Sequence, residues 1–117
     1  MSDKLLLDDV RFYGQHGARP AGEPGSWFSV DAELAIDLAP AALSDDLATT
    51  VDYDRVASRI VEVGTGQRVQ LIERLAALIV DALLREFPAQ QVRVRVRKLA
   101  PPGASTGTPA VELVRRR

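Results

Sequence analysis

The chain has 117 residues and no cysteine, and its 15 basic and 16 acidic residues give a net charge of −1. The absence of cysteine excludes a disulfide scaffold, a thiolate zinc site and a thiol nucleophile, and it is typical of a reducing compartment. The near-neutral charge gives no indication of nucleic-acid binding, no apolar run reaches membrane-spanning length, and the first residues do not form a signal peptide. We therefore expect a single cytoplasmic domain over residues 1–117, with no nucleic-acid or membrane partner.

The first third of the sequence predicts two strands separated by a loop. Residues 5–13 are predicted as a strand, and the shift in apolar parity across Asp8 and Asp9 predicts a bulge within it. Residues 14–25 contain four glycines and two prolines and are predicted as loop. Residues 27–38 alternate apolar and polar side chains, which predicts a strand with one buried and one polar face.

The rest of the sequence predicts two helices followed by two strands. Residues 40–43 are expected to form one short turn, and Asp52 is placed to cap a helix. Apolar spacing and the glycine and proline breakers set the predicted bounds. They give helices over residues 53–63 and 70–87 and strands over residues 92–99 and 111–115. We expect the basic tail, residues 115–117, to be solvated.

The order ββααββ predicts an α+β fold in which an antiparallel sheet carries two helices on one face. The other face collects polar side chains of both signs, which allows cross-strand ion pairing. Its members are Ser29, Asp31, Glu33, Asp37, Arg93, Arg95, Arg97 and Glu112. Such a face is typical either of a sheet exposed to solvent or of a polar barrel lumen closed by several subunits.

Four segments in this order resemble motifs of the dihydroneopterin aldolase family of folate biosynthesis, which has the tunnelling fold. They are FYGQHG at residues 12–17, SDDLATTVDYDRV at 44–56, LIERLA at 71–76 and VRVRVRK at 92–98. The resemblance implies a homo-oligomer in which four subunits close an antiparallel barrel and two such rings commonly stack into an octamer. It also implies active sites at subunit interfaces, built from both chains.

The resemblance implies a lyase that cleaves 7,8-dihydroneopterin by a retro-aldol step into 6-hydroxymethyl-7,8-dihydropterin and glycolaldehyde, with an accompanying epimerase activity. The C=N bond of the dihydropterin accepts the electron pair, so no cofactor, metal or Schiff-base lysine is required. The protein has to hold the ring, take a proton from a hydroxyl group and return one to carbon.

Lys98 breaks the alternation of its strand by placing an ammonium on the valine parity. Partial burial there would disfavour the charged form and suit the amine to proton transfer, and the resemblance implies the role of general acid and base. The alternative is a lysine at a strand end that extends to solvent. For Glu73 the resemblance implies two parallel hydrogen bonds from the pterin ring, and the alternative is a glutamate that favours the first turn of a helix.

Further site residues follow from the resemblance. Tyr53, contributed by a neighbouring subunit, is expected to pack on the ring or relay a proton, the alternative being a half-buried tyrosine at a helix start. The family has a loop glutamate at the position of Gly22; Glu23, one residue later, is expected to take its catalytic place, the alternative being that this carboxylate is lost. His16 is expected to be structural. The expected pocket lining is Ala18, Val51, Leu71 and Ile72.

Departures from the family pattern keep other functions open. Ser26 follows Gly25 where the family usually has glutamine, and Leu99 stands where a proline usually follows the catalytic lysine. A related enzyme that epimerises dihydroneopterin triphosphate would need a basic cluster at the pocket, for which Arg19 is a candidate. A non-catalytic protein that binds a pterin or purine, and a purely structural oligomer, are the further alternatives.

Overall fold

The structure, a computed structural model, describes residues 3–15, 25–101, 103–105 and 107–117. These described ranges contain four strands, three helices and one 3₁₀ turn. The strands are β1 (Lys4–Gly14), β2 (Ser26–Ala35), β3 (Gln91–Lys98) and β4 (Ala110–Arg116). The helices are α1 (Ala39–Ser44), α2 (Tyr53–Thr65) and α3 (Ile72–Glu86), and the 3₁₀ turn is Leu47–Thr49. The predicted order of four strands around two long helices is confirmed.

The strands form one antiparallel sheet in the order β1-β2-β3-β4, so β1 and β4 are its two edges. The predicted bulge in β1 is confirmed, because the pairing register shifts between Leu7 and Val10. Asp9 occupies the left-handed region with φ of 60°, and its backbone N–H donates to Asp31 Oδ1 at 2.9 Å. That bond satisfies a donor which the shifted ladder leaves without a strand partner.

The core lies between one face of the sheet and the helices α2 and α3. Alternate residues of the strands supply one side of it, and the helices supply the other. Side chains with no measurable exposure are Phe28, Val30, Ala32, Leu34, Val56, Ile60, Ala76, Ile79, Val80, Ala89, Val92, Val94 and Val96. Phe12 stacks on Phe28 with ring centroids 5.5 Å apart. Gly64 of α2 faces this ring pair so closely that a Cβ there would lie 2.3 Å from Phe12 Cζ.

The ends of the long helices follow from their capping residues. The side chain of Asp52 accepts the backbone N–H of Asp54 at 2.9 Å, which confirms the predicted cap of α2. Helix α3 stops at Glu86 because Phe87 precedes Pro88 and takes an extended conformation, φ −118° and ψ 148°. Within the described ranges, no helix is both long and apolar enough to span a membrane.

Two predictions for the middle of the chain were wrong, the end of one strand and the nature of the segment after it. Strand β2 ends at Ala35 rather than at Leu38, because Asp37 Oδ1 accepts the N–H of Ala39 and the N–H of Leu38 donates to Asp3 Oδ2. Those bonds turn the chain away from the sheet. The short turn predicted at Pro40 is a six-residue helix, α1.

The basic tail is exposed as predicted, but it is not merely solvated. Strand β4 extends to Arg116, one residue beyond the predicted end, and Arg117 N–H donates to Gln90 O at 2.9 Å. The Arg117 guanidinium donates to three carbonyl groups at the C-terminal end of α3 and just after it, those of Leu84, Phe87 and Ala89. A cation at this position satisfies free helix carbonyls and opposes the negative end of the helix dipole.

Candidate functional site

Lys98 is the last residue of β3 and lies opposite Phe28 of β2. The valines that precede it on the same parity are fully buried, whereas Lys98 is partly buried. Its backbone is held from both sides, because Lys98 N–H donates to Pro109 O at 3.1 Å and Leu99 N–H donates to Trp27 O at 2.8 Å. The ammonium group therefore sits at the end of an apolar face on a backbone that neighbouring strands fix.

Glu73 lies in the first turn of α3, directly after Leu71 and Ile72. Leu71 is the N-cap residue and is 59% exposed, Glu73 is exposed, and Ile72 packs partly against the core. Because leucine offers no polar side chain to the first turn, the N–H groups of that turn gain no capping bond from it. Glu73 thus projects a carboxylate beside backbone donors, a combination suited to a planar ligand with both donors and acceptors.

Lys98 and Glu73 lie at the same end of the molecule. The chain leaves α3 at Glu86, turns through Pro88 and returns along β3, so β3 runs antiparallel to α3. Lys98 at the end of β3 therefore comes back towards the first turn of α3, where Glu73 lies. Two of the predicted site residues, separated by the whole of α3 and β3 in sequence, are brought to one end of the fold.

Val51 and Tyr53 lie at the opposite end. Helix α2 runs antiparallel to α3, because Arg59 Nε of α2 donates to Glu86 Oε2 at 2.7 Å and the Arg55 guanidinium lies 5.9 Å from the centre of the Phe87 ring. The start of α2 is thus beside the end of α3. Helix α3 has 15 residues, so this end is about 22 Å from its first turn. A single chain does not bring Val51 and Tyr53 to Lys98 and Glu73.

A surface cleft of about 420 Å³ marks the end that carries Val51. Its volume is within the range of small-molecule sites. Val51 is 7% exposed there, whereas Tyr53 is 57% exposed. The residues lining the cleft are Leu47, Ala48, Thr50, Val51, Asp52, Arg55, Glu86, Phe87 and Pro88. Neither Lys98 nor Glu73 belongs to it, so the two groups of predicted site residues are separate surfaces of one chain.

Several predicted site residues belong to the loop between β1 and β2. Glu23, Ala18, His16 and Arg19 lie outside the described residues. The start of that loop is described: Gln15 O accepts Val69 N–H at 3.4 Å, and Gln15 Oε1 accepts from Arg68 at 3.2 Å. These bonds connect the first motif to the segment before α3. Sequence reasoning missed them, because no local pattern relates residues so far apart along the chain.

The polar face of the sheet contains cross-strand ion pairs, as the alternation predicted. Arg97 hydrogen-bonds Asp31, and this bond, with the N–H of Asp9 assisting, holds the pKa of Asp31 below its ordinary value. Asp9 accepts from Arg11 Nε at 2.9 Å and from Ser29 Oγ at 2.6 Å, and these two bonds lower the pKa of Asp9. Both carboxylates are therefore held in their charged form.

The remaining charges of this face pair in the same way. Arg95 lies 2.9 Å from Glu112, while Glu33 lies 3.5 Å from Arg93 and 3.7 Å from Lys4. Tyr13 and Trp27 add an exposed aromatic pair at the Lys98 end of the face, with ring centroids 5.7 Å apart. Across the parts of the chain that are described, no group of three or more acidic, histidine or cysteine side chains is placed to hold a metal ion.

Comparisons with known proteins decide the family. Residues 5–114 match the sequence profile described as dihydroneopterin aldolase. The chain belongs to the dihydroneopterin aldolase family. A curated dihydroneopterin aldolase of Streptococcus pyogenes is 42% identical over 102 residues, which cover 86% of each chain.

Solved structures of this family have the same fold. The E. coli dihydroneopterin aldolase in complex with neopterin superposes with a TM-score of 0.87 at 26% identity, over 97% of this chain and 98% of that one. The Burkholderia thailendensis dihydroneopterin aldolase bound to guanine superposes with a TM-score of 0.80 at 25% identity, over 98% of this chain and 91% of that one. The fold predicted from the sequence is confirmed as that of the family.

Proposed function

We propose that this chain cleaves 7,8-dihydroneopterin by a retro-aldol reaction into 6-hydroxymethyl-7,8-dihydropterin and glycolaldehyde. The observation that carries the proposal is the convergence of Lys98 and Glu73 at one end of a chain of this family. Lys98 can transfer a proton, and Glu73 can hold the pterin ring. The reaction requires no cofactor, because the C=N bond of the dihydropterin receives the electron pair.

Lys98 is the proposed general acid and base. Its fixed backbone and partial burial suit a group that has to meet one hydroxyl proton in one orientation. Removal of that proton, directly or through water, lets the carbon–carbon bond of the side chain break and places the electron pair on the ring system. A proton then returns to the carbon that remains attached to the ring, which gives the hydroxymethyl product.

Glu73 is the proposed anchor of the pterin ring. The amino-pyrimidinone edge of a pterin presents two parallel N–H groups, and a carboxylate accepts both in one plane. The N–H groups of the first turn of α3 lie beside that carboxylate and offer donors to the ring's acceptors. Leu71 and Ile72 supply apolar contact next to it. The proposed site also includes Ala18 and Glu23 of the preceding loop.

Tyr53 and Val51 complete the proposed site from a second subunit. They lie beside the end of α3, whereas Glu73 lies in its first turn, and the 15 residues of α3 span about 22 Å, so their participation requires another copy. The sheet supports such an assembly, because its edges β1 and β4 run in opposite directions and are able to pair antiparallel between copies. We therefore infer a homo-oligomer, a ring of four or two stacked rings, in which the polar face lines the lumen.

The first test is to incubate the purified protein with 7,8-dihydroneopterin without oxygen and to follow products by chromatography with mass detection. Formation of 6-hydroxymethyl-7,8-dihydropterin with glycolaldehyde is the expected result. An isomer of unchanged mass would indicate epimerisation. If the substrate remains unchanged, the aldolase proposal is wrong, and dihydroneopterin triphosphate turnover and pterin-binding calorimetry then separate the epimerase from a binding protein.

Two variants separate the proposed roles. Lys98→Ala should lower kcat by about 10²–10⁴-fold with little change in pterin affinity. Its matched control is Lys4→Ala, which removes the other lysine of the chain, at the far end of the sheet. Glu73→Ala should weaken pterin binding by about ten- to a hundredfold, and Glu62→Ala is its control. Unchanged turnover in Lys98→Ala, or unchanged affinity in Glu73→Ala, would remove that assignment.

The composite site has its own test. Lys98→Ala and Tyr53→Phe chains, each impaired alone, are mixed, partly unfolded and refolded together. Mixed rings then contain some sites in which an intact Lys98 meets an intact Tyr53 of another subunit, so activity should recover. Recovery is not expected if each chain builds its own site.

The cysteine-free composition supports a cytoplasmic location for this enzyme, and we propose that residues 1–117 form one domain.

A further inference from the structure

One corner of the polar sheet face has more positive than negative groups. Over the rest of that face each guanidinium group has a carboxylate of its own, in the pairs Arg11 with Asp9, Arg97 with Asp31, and Arg95 with Glu112. At the end of the face away from Lys98, three cations accompany one carboxylate. We name this part of the face the basic corner, and its residues are Lys4, Glu33, Gln91, Arg93 and Arg116.

The single carboxylate of the basic corner, that of Glu33, is shared by two of its cations. Glu33 Oε2 lies 3.7 Å from Lys4 Nζ and 3.5 Å from Arg93 Nε, and both distances exceed the usual range of an N–H···O hydrogen bond. Arg93 Nε is enclosed by protein atoms and makes no hydrogen bond with any described residue. Since one carboxylate carries one charge, it cannot neutralise both cations, and the donors of Arg93 stay under-satisfied.

Arg116 adds a second guanidinium group beside that of Arg93. It lies opposite Gln91, and its Nε donates to Gln91 Oε1 at 2.7 Å. Val114, two residues earlier on β4, lies opposite Arg93, so the two arginines are diagonal neighbours on adjacent strands, about 7–8 Å apart. The amide of Gln91 brings no negative charge between them. Like charges in such positions repel each other, which an anion bound between them would relieve.

Other carboxylates around the basic corner are engaged elsewhere. Arg95 binds Glu112 Oε1 through Nε at 3.0 Å and through Nη2 at 2.9 Å. Asp3 and Asp37, which lie beyond the sheet ends of β1 and β2, accept backbone N–H groups of the turn after β2. Within the described ranges, the chain therefore supplies no further counter-charge to the corner, although its net charge is −1.

We infer that the basic corner binds a phosphate group between Arg93 and Arg116. A guanidinium group is planar and donates parallel hydrogen bonds to the oxygens of a phosphate, and two such groups on adjacent strands can hold one anion from two sides. A phosphate monoester carries a charge of about −1.5 to −2 at pH 7, which matches the excess of two positive charges. A singly charged anion such as chloride offers neither this charge nor several acceptor oxygens.

The basic corner is separate from the end of the molecule that carries Lys98. Arg93 precedes Lys98 by five residues on β3, a distance of about 17 Å along the strand. Because side chains alternate along a strand, residues five positions apart lie on opposite faces of the sheet. The whole corner belongs to one chain, so the inference depends neither on contact with another subunit nor on the proposed function.

The test is calorimetric titration of the purified chain with inorganic phosphate, in sodium chloride at constant ionic strength. The parent chain should bind phosphate, and Arg93→Gln and Arg116→Gln should each weaken that binding about tenfold or more. Arg115→Gln is the matched control, because Arg115 adjoins Arg116 but pairs with Asp81 of α3 on the other face of the sheet. Circular dichroism checks that each variant folds. No binding by the parent chain, or equal binding by all four chains, would overturn the inference.

Two further titrations locate the anion and identify its source. Lys98→Ala should bind phosphate as the parent chain does, and loss of binding in Lys98→Ala with retention in Arg93→Gln would place the anion at the other end and overturn the inference. Ribose 5-phosphate then replaces inorganic phosphate as the titrant. Tighter binding of the sugar phosphate, lost in Arg93→Gln, indicates that the corner serves a phosphorylated metabolite, whereas equal or weaker binding, again lost in Arg93→Gln, indicates free phosphate.

Discussion

Gly64→Ala is expected to destabilise the fold, although alanine is the better helix former. Gly64 is near the end of α2, and a Cβ there would lie 2.3, 2.5 and 2.8 Å from three ring atoms of Phe12. Phe12 is 3% exposed and stacks on the fully buried Phe28, so its ring has no free space into which to move. Overpacking of this kind costs about 1–3 kcal/mol or more, against a gain of about 1 kcal/mol from helix propensity.

We therefore expect a net loss of about 1 kcal/mol, which corresponds to a fall in Tm of roughly 4 °C for a chain of this size. Urea denaturation and calorimetry at one protein concentration measure both quantities. Gly107→Ala is the matched control, because no atom lies within 4 Å of the added Cβ, and its stability should stay the same or rise by about 0.5 kcal/mol. Phe12→Leu should cost less in the Gly64→Ala background than in the parent chain. A Gly64→Ala chain as stable as its parent would refute the close packing of α2 on the sheet.

Three further predictions concern polar groups. In the folded chain the pKa of Asp31 is lowered from 3.8, chiefly by its hydrogen bond with Arg97. The ion pair therefore stabilises the fold above pH 3.8, and this contribution is lost as the pH falls through the folded-state pKa. In urea melts, Asp31→Asn should have a lower unfolding free energy at neutral pH and a shallower fall of that free energy below about pH 4, and parallel curves of unfolding free energy against pH would contradict this. Asp52→Ala should cost about 1 kcal/mol of unfolding free energy, and Asp52→Ser should retain most of it. Arg117→Ala should cost about 1 kcal/mol of unfolding free energy by the same measurement. The loss should exceed that of Arg116→Ala, because Arg117 binds the carbonyls at the end of α3 whereas Arg116 binds the Gln91 side chain.

Much of the fold was predictable because local physics acts on contiguous residues. Strict alternation of apolar and polar residues predicted the two faces of β2 and β3, and the shift of that alternation across Asp8 and Asp9 predicted the bulge in β1. Asp52 sets the start of α2 by capping its first turn. Pro88 sets the end of α3, because proline has no backbone N–H with which to continue a helix. The end of β2 was not predictable in this way, because the bond from Leu38 N–H to Asp3 Oδ2 competes with continuation of the strand and is non-local.

The candidate site was less predictable than the fold. Residue type and order pointed to Lys98 and Glu73, and the return of β3 along α3 brings them to one end. The placement of Tyr53 at the other end follows from the antiparallel packing of α2 on α3, which depends on tertiary contacts such as that between Arg59 and Glu86. The role of Arg117 depends on carbonyl groups that only the folded chain places beside it.

Trp27 gives the Lys98 end of the molecule an intrinsic optical label. It is the only tryptophan of the sequence, it is about half exposed beside Tyr13, and its carbonyl group accepts the N–H of Leu99, one residue after Lys98. Indole emission depends on the polarity around the ring, and no second indole contributes a background. Whatever covers this end of the chain, whether a small molecule or another subunit, can therefore be followed in real time by fluorescence from a single position, without attaching a dye.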